Sequence, residues 1–119
     1  PFDSYKKRMT TFIKENDGTY KMKIVETKKN ADFLLAVSGR LDTNTAPQLE
    51  QKINEVLPQC VQLSVDLSEV EYISSAGLRV VLAAHKAAGR GKHFVIKNPS
   101  EFCMQVFEAT GMKAILTIQ

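Results

Sequence analysis

Two adjacent serines, Ser74 and Ser75, separate an apolar run ending at Tyr72 and Ile73 from a run of helical character that opens with Ala76, Gly77 and Leu78. A serine hydroxyl at the start of a helix can accept a hydrogen bond from a backbone N–H that the first turn leaves unpaired. It also lies near the positive end of the helix dipole. A small polar hinge between two apolar elements is therefore a place where a switch can sit. The other residues with chemistry to offer form no such set. His85 and His93 lie on different expected elements, with no carboxylate or nucleophile placed to make a triad. Cys60 and Cys103 form no CxxC and have no histidine at metal-ligand spacing, so both are expected to be buried and free. Gly39, Gly77, Gly89, Gly91 and Gly111 build neither a GxGxxG nor a GxxxxGK[ST] loop. The acidic residues are scattered, and no general acid and base pair stands out. An enzyme is not expected, and neither a cofactor nor a bound metal is.

The elements that must position the serines follow from periodicity. Val61, Leu63, Val65 and Leu67 alternate with Gln62, Ser64 and Asp66, and Val70, Tyr72 and Ile73 extend the run, as a strand with one buried face would. The following helix is expected to begin at Ser74 or Ser75. On it, Ser75, Arg79, Ala83, Lys86 and Arg90 share one side, while Leu78, Val81, Leu82 and His85 form the opposing stripe. An alanine-rich side punctuated by cations suits docking against a helix of an acidic partner. The same spacing also describes an ordinary amphipathic helix kept in solution by its cations.

Upstream, Asp17-Gly18 lies amid Phe12, Tyr20, Met22 and Ile24, which predicts a hairpin, and a strand pattern runs from Phe33 to Val37 and stops at Gly39. Ala46, Leu49, Ile53, Val56 and Leu57 trace one helical face, and Thr45, Pro47 and Gln48 have the chemistry of a capping-box start. Downstream, Lys92 to Ile96 reads as a short strand and Asn98-Pro99-Ser100-Glu101 as a helix start. Gly111 reads as that helix's stop and Ala114 to Ile118 as a last strand. Strands alternating with helices imply an α/β fold, a mixed β-sheet with helices packed against it.

The 119 residues suit one domain able to bury its own core. The composition, 44% hydrophobic and 24% charged, is that of a globular protein, and no apolar run approaches the length that spans a bilayer. Of the net charge of +3, residues 1–21 contribute five Lys or Arg against three Asp or Glu, leaving the rest nearly neutral. No basic stripe with interleaved aromatics marks a nucleic-acid reader. Lys6, Lys7 and Arg8 mark residues 1–21 as a basic extension, partly disordered or an added hairpin strand. Pro1 is not an initiator, so processing or a longer parent chain is expected, with Met9 and Met22 as possible starts. With unpaired cysteines and no secretory segment, a reducing cytoplasm is the expected compartment.

Ser38-Gly39-Arg40-Leu41-Asp42, the helix opening TAPQLE, the run VDLSEVEYISSAGLRVVL and the late segment NPSEFCMQVFEATGM occur in an order that resembles the STAS domain, specifically the bacterial anti-sigma-factor antagonists. The resemblance spans residues 22–119. It implies a STAS-like mixed sheet and a small regulator that binds an anti-sigma factor with serine-kinase activity. Binding would release a sigma factor, and phosphorylation of a serine would switch the regulator off. The family's hinge usually reads Asp-Ser-Ser-Gly, with the first serine as acceptor. Aligning Gly77 and Leu78 puts Ser75 at the acceptor position, Ser74 where the aspartate usually lies and Ala76 at the second serine, leaving Ser74 as a rival acceptor. The implied partner contacts are Asp42, Thr43 and Asn44, in a loop the family places beside the hinge, with Ser74, Ser75, Ala76, Gly77, Arg79, Ala83 and Lys86 on the helix; the three loop residues read equally as turn and capping chemistry. Two other readings remain: an accessory STAS subunit of a lipid or anion transporter, and a small-ligand or nucleotide-binding module. No membrane insertion is expected, and the sequence leaves the oligomeric state open.

Overall fold

The computed structural model describes residues 6–14, 20–89 and 91–119, with side chains from residue 22 onward. The expected turn at Asp17-Gly18 lies outside the described residues, as do residues 1–5 of the basic extension expected over residues 1–21. Five strands form one sheet in the order β1 (Lys6–Lys14), β2 (Tyr20–Lys29), β3 (Asp32–Leu41), β4 (Gln62–Ile73), β5 (His93–Lys97). The first three strands pair antiparallel, and β4 and β5 join in parallel. The parallel pairs need crossover connections. These are α1 (Ala46–Val56) between β3 and β4, and α2 (Ser75–Ala88) between β4 and β5. A third helix, α3 (Glu101–Thr110), packs against β4. This is the expected α/β mixed sheet with helices against it. Among the described residues no helix is long and apolar enough to cross a membrane.

Strand alternation and helical stripes meet in one core. Met22 and Ile24 of β2, Leu35 and Val37 of β3, Leu63, Val65 and Leu67 of β4 and Ile96 of β5 join Leu49, Ile53 and Val56 of α1, Val81 and Ala84 of α2, and Cys103 and Phe107 of α3. Burial of this apolar surface is the main driving force for the fold. β2 turns into β3 through Asn30 and Ala31, with Asn30 at φ 56°, a left-handed conformation that asparagine tolerates.

Between β3 and β4 the register slips twice. Ala36 faces Asp66 but Ser38 faces Glu69, and Gly39 faces Val70 but Arg40 faces Tyr72. Each slip inserts one extra residue into β4, as a β-bulge does. This is why Leu67, Val70 and Ile73 are buried at a spacing of three where sequence alternation predicts two.

Three expectations at element ends are corrected. Val61 was expected on the buried face of β4, but it precedes the first ladder pair, Asp32 with Gln62, and is 55% exposed. Ala114 to Ile118 is not a strand. Left-handed Gly111 leads into a 3-10 turn over Met112–Ala114, and only a single parallel bridge, Ile96 to Ile118, joins the chain end to the sheet. At the start of α1, Thr45 stands at the N-cap but makes no capping bond, because its hydroxyl is held in the preceding loop. The cap expected at α3 does form: Ser100 Oγ accepts the N–H of Cys103 at 3.2 Å and also donates to the Val70 carbonyl at 2.7 Å.

Candidate functional site

The corner after β4 is closed by backbone. The Ser74 N–H donates to the Leu41 carbonyl at 2.9 Å, tying the ends of β3 and β4 together, and the Leu78 N–H donates to the Ser74 carbonyl at 3.0 Å as the first bond of α2. Ser74 is extended, at φ −95° and ψ 177°, and is the residue from which the helix starts. Its hydroxyl does not cap the helix. Ser74 Oγ is enclosed and has no hydrogen-bond partner, whereas Ser75, one residue on, is exposed. The first turn of α2 thus carries neither a side-chain cap nor an acidic residue, leaving its N–H groups open beside Ser75.

Gly77 explains how the corner closes so tightly. A Cβ built on it would come within 2.8 Å of Leu41 Cγ and 2.9 Å of Ile73 Cγ1, closer than carbon atoms pack. Gly77 is therefore buried against the strand ends, unlike the other expected contacts on the helix. Ala76 is half-buried, and Arg79, Ala83 and Lys86 are exposed on the same side as Ser75. Arg90 lies outside the described residues. The buried stripe is Gly77, Val80, Val81, Ala84 and Ala88, so the expected stripe of Leu78, Val81, Leu82 and His85 is rotated. The reason is that α2 packs on α1 as well as on the sheet, which draws Val80 inward and leaves Leu78, Leu82 and His85 half-exposed.

The β3–α1 loop lies beside this corner through the Ser74 to Leu41 bond. Asp42 Oδ1 accepts the N–H groups of Asn44 at 2.9 Å and Thr45 at 3.1 Å, while Thr45 Oγ1 donates to the Arg40 carbonyl at 2.8 Å and accepts the Asp42 N–H at 2.8 Å. Asp42 thus braces the turn, and it is Thr43 and Asn44 that are exposed. Beyond the loop, α1 and α2 enclose an open groove of about 550 Å³. Thr43, Pro47 and Glu50 form one wall, Arg79, Ala83 and Lys86 stand on the other, and Ala46, Ala76 and Val80 lie between them. The groove depends on how the two helices pack, and the sequence reading contained its α2 wall and, from the other wall, Thr43 alone.

The remaining candidates stay apart from the corner. Cys60 and Cys103 are free and buried, and burial pushes both thiols up from their ordinary range. His85 and His93 line a separate pocket of about 190 Å³ together with Lys92. Among the described residues no group of three His, Cys, Asp or Glu is placed to hold a metal ion.

Two features escaped the sequence reading. Lys52 of α1 and Glu26 of β2 form an ion pair at 2.9 Å with both side chains almost fully buried. The signal was legible, since Lys52 falls three residues after Leu49 and four before Val56, on the apolar face of α1. Arg40 lies over the Tyr72 ring at 4.5 Å, and Tyr72 stacks on Phe102 at 5.5 Å. That grouping depends on strand register and on where α3 packs.

Comparison with known proteins finds relatives along most of the chain. The family model described as "Mlab, STAS domain" matches residues 24–117. The anti-sigma-B factor antagonist of Bacillus subtilis (strain 168) is 31% identical over 96 residues, covering 79% of this chain and 88% of that protein. A crystal structure of an anti-sigma factor antagonist from Mycobacterium paratuberculosis superposes with a TM-score of 0.77 at 25% identity, covering 89% of each chain. SpoIIAA in its unphosphorylated form superposes with a TM-score of 0.64 at 19% identity, covering 76% of this chain and 82% of that one, which is a likeness of fold. With a family model matched over residues 24–117 and a relative of this identity along most of its length, the chain belongs to the STAS domain family.

Proposed function

We propose that this protein is an anti-sigma factor antagonist acting in the cytoplasm. It binds an anti-sigma factor with serine-kinase activity at the corner between β4 and α2, and it is switched off by phosphorylation of Ser75. The observation that carries the reading is the contrast between neighbours: Ser75 is exposed at the first position of α2, while Ser74 Oγ is enclosed. A kinase must bring a phosphoryl group in line with the attacking oxygen, and of the two hydroxyls Ser75 is the one open to that approach. The relatives named as anti-sigma factor antagonists support an anti-sigma factor as the partner. SpoIIAA in its phosphorylated form shares this fold, with a TM-score of 0.60 at 19% identity, covering 76% of this chain and 85% of that one.

The physics of the switch follows from the position. In the transfer, the Ser75 hydroxyl oxygen bonds to the γ-phosphorus of ATP, the bond to the β-phosphate bridging oxygen breaks, ADP leaves, and the hydroxyl proton passes to a base of the kinase. The product carries about 1.5 to 2 negative charges at neutral pH. Locally these are welcome, because open N–H groups and the helix dipole face them and Arg79 lies one turn along on the same side. The scaffold therefore stays folded. The loss falls on the complex, where a desolvated or acidic partner surface meets the new charge, and a few kcal/mol there is a hundredfold or more in affinity.

Incubation with the cognate anti-sigma factor and ATP should place a single phosphate on Ser75 by mass spectrometry, and Ser75→Ala should remove it. Ser75→Asp should abolish capture of that factor while the circular dichroism spectrum is unchanged. Phosphate on another residue, or full capture by the aspartate variant, would overturn the reading.

A further inference from the structure

We infer that the groove between α1 and α2 seats an amphipathic helix of the anti-sigma factor, one that turns acidic side chains toward α2. This rests on the reading just proposed and extends it from the serine corner to the type of segment that docks. Arg79 and Lys86 stand on the α2 wall seven residues apart, which is about 10.5 Å of helical rise. Among the described residues neither takes part in an ion pair, so two guanidinium and ammonium charges are offered along one rim. Between them lies Ala83, exposed and small enough to let another backbone come close. The floor is apolar, with Ala46, Ala76 and Val80, and the α1 wall presents Pro47 and a single carboxylate, Glu50. A helix suits this seat because its own ridge can settle between two helices at the usual separation of about 8–10 Å. The charges order its faces: carboxylates seven residues apart toward Arg79 and Lys86, small apolar residues into the floor, and a basic or neutral residue toward Glu50.

The groove also links docking to the switch. Ala76 and Arg79 line the end of the groove next to Ser75, so a phosphate on Ser75 competes with the partner's carboxylate for the Arg79 guanidinium. Loss of that contact adds to the repulsion at the corner.

Photo-cross-linking in the source cells tests the inference, with benzoylphenylalanine placed in the full chain at Ala83 in the groove or at Asn44 in the corner loop. The Ala83 probe should join to a helical peptide of the anti-sigma factor that carries two acidic residues seven apart. Arg79→Glu combined with Lys86→Glu should lower affinity for that factor at least tenfold, and changing the two acidic residues of the peptide to lysine should restore it. Cross-linking from Asn44 with a silent Ala83 would overturn the groove and leave the antagonist reading standing. A peptide without the acidic pair, or undiminished affinity in the charge-reversed variant, would also overturn it. No cross-link to an anti-sigma factor from either position would overturn both readings.

Discussion

Ser74 is held where a capping hydroxyl belongs, yet Ser74 Oγ is enclosed and bonds to nothing. A buried polar atom without a partner costs free energy, and replacing it by an apolar group of similar shape is close to neutral or better. Loss of an engaged serine cap would cost about 1 kcal/mol. Ser74→Ala should therefore leave the midpoint of urea unfolding unchanged or raise it; a loss near 1 kcal/mol would mean that the hydroxyl caps the helix in solution. The sequence shows that a serine starts this helix, because residue type and position suffice for that. Which way the hydroxyl turns depends on the packing of Leu41, Ile73 and Gly77, and no local pattern encodes that. Asp42 is a parallel case. Its turn-forming chemistry was visible, but that its carboxylate is occupied by the Asn44 and Thr45 N–H groups follows only from the loop's path.

At the scale of elements, α1 is fastened to the sheet by more than its apolar stripe. Lys52 and Glu26 are paired at 2.9 Å in the interior, with Glu55 a second, more exposed carboxylate 3.6 Å from the ammonium. Breaking a buried pair from one side leaves an uncompensated charge, at a cost of about 3–5 kcal/mol. Lys52→Met should lower stability by that amount, and adding Glu26→Leu should recover most of it. Chemical denaturation of both variants checks this; a double variant as weak as the single would show that the pair itself sustains the contact. The helices and their order were legible because each carries a stripe and a start signal. The rotation of α2, the groove beside it and the Arg40, Tyr72 and Phe102 stack were not, since each arises where two or three elements meet.

At the scale of the molecule, among the described residues one core engages α1, α2 and α3 with β2, β3, β4 and β5, and both thiols lie inside it. Burial raises the pH at which they ionise above the ordinary range, so the folded state favours the protonated form. A group with a raised folded value contributes stability that is fully present below its unfolded value and fades as pH climbs through the folded one. The domain should lose stability in the alkaline region where thiols ionise. Near neutral pH, Ellman's reagent should label neither cysteine until denaturant unfolds the chain, and rapid labelling of native protein would contradict the burial. The α/β class was legible from alternation alone, and the family from several segments occurring in order. What the chain did not display was the pair of register slips in β4, because a strand's inserted residues are visible only against the neighbour they fail to match. Those slips bear on the corner in a way that resembles compensating frameshifts. The first reverses the odd–even parity of the strand, and the second restores it, so Ile73 points inward and the helix leaves with Ser75 toward solvent. Removing either extra residue alone would invert the corner; removing both would shorten the strand and keep its phase.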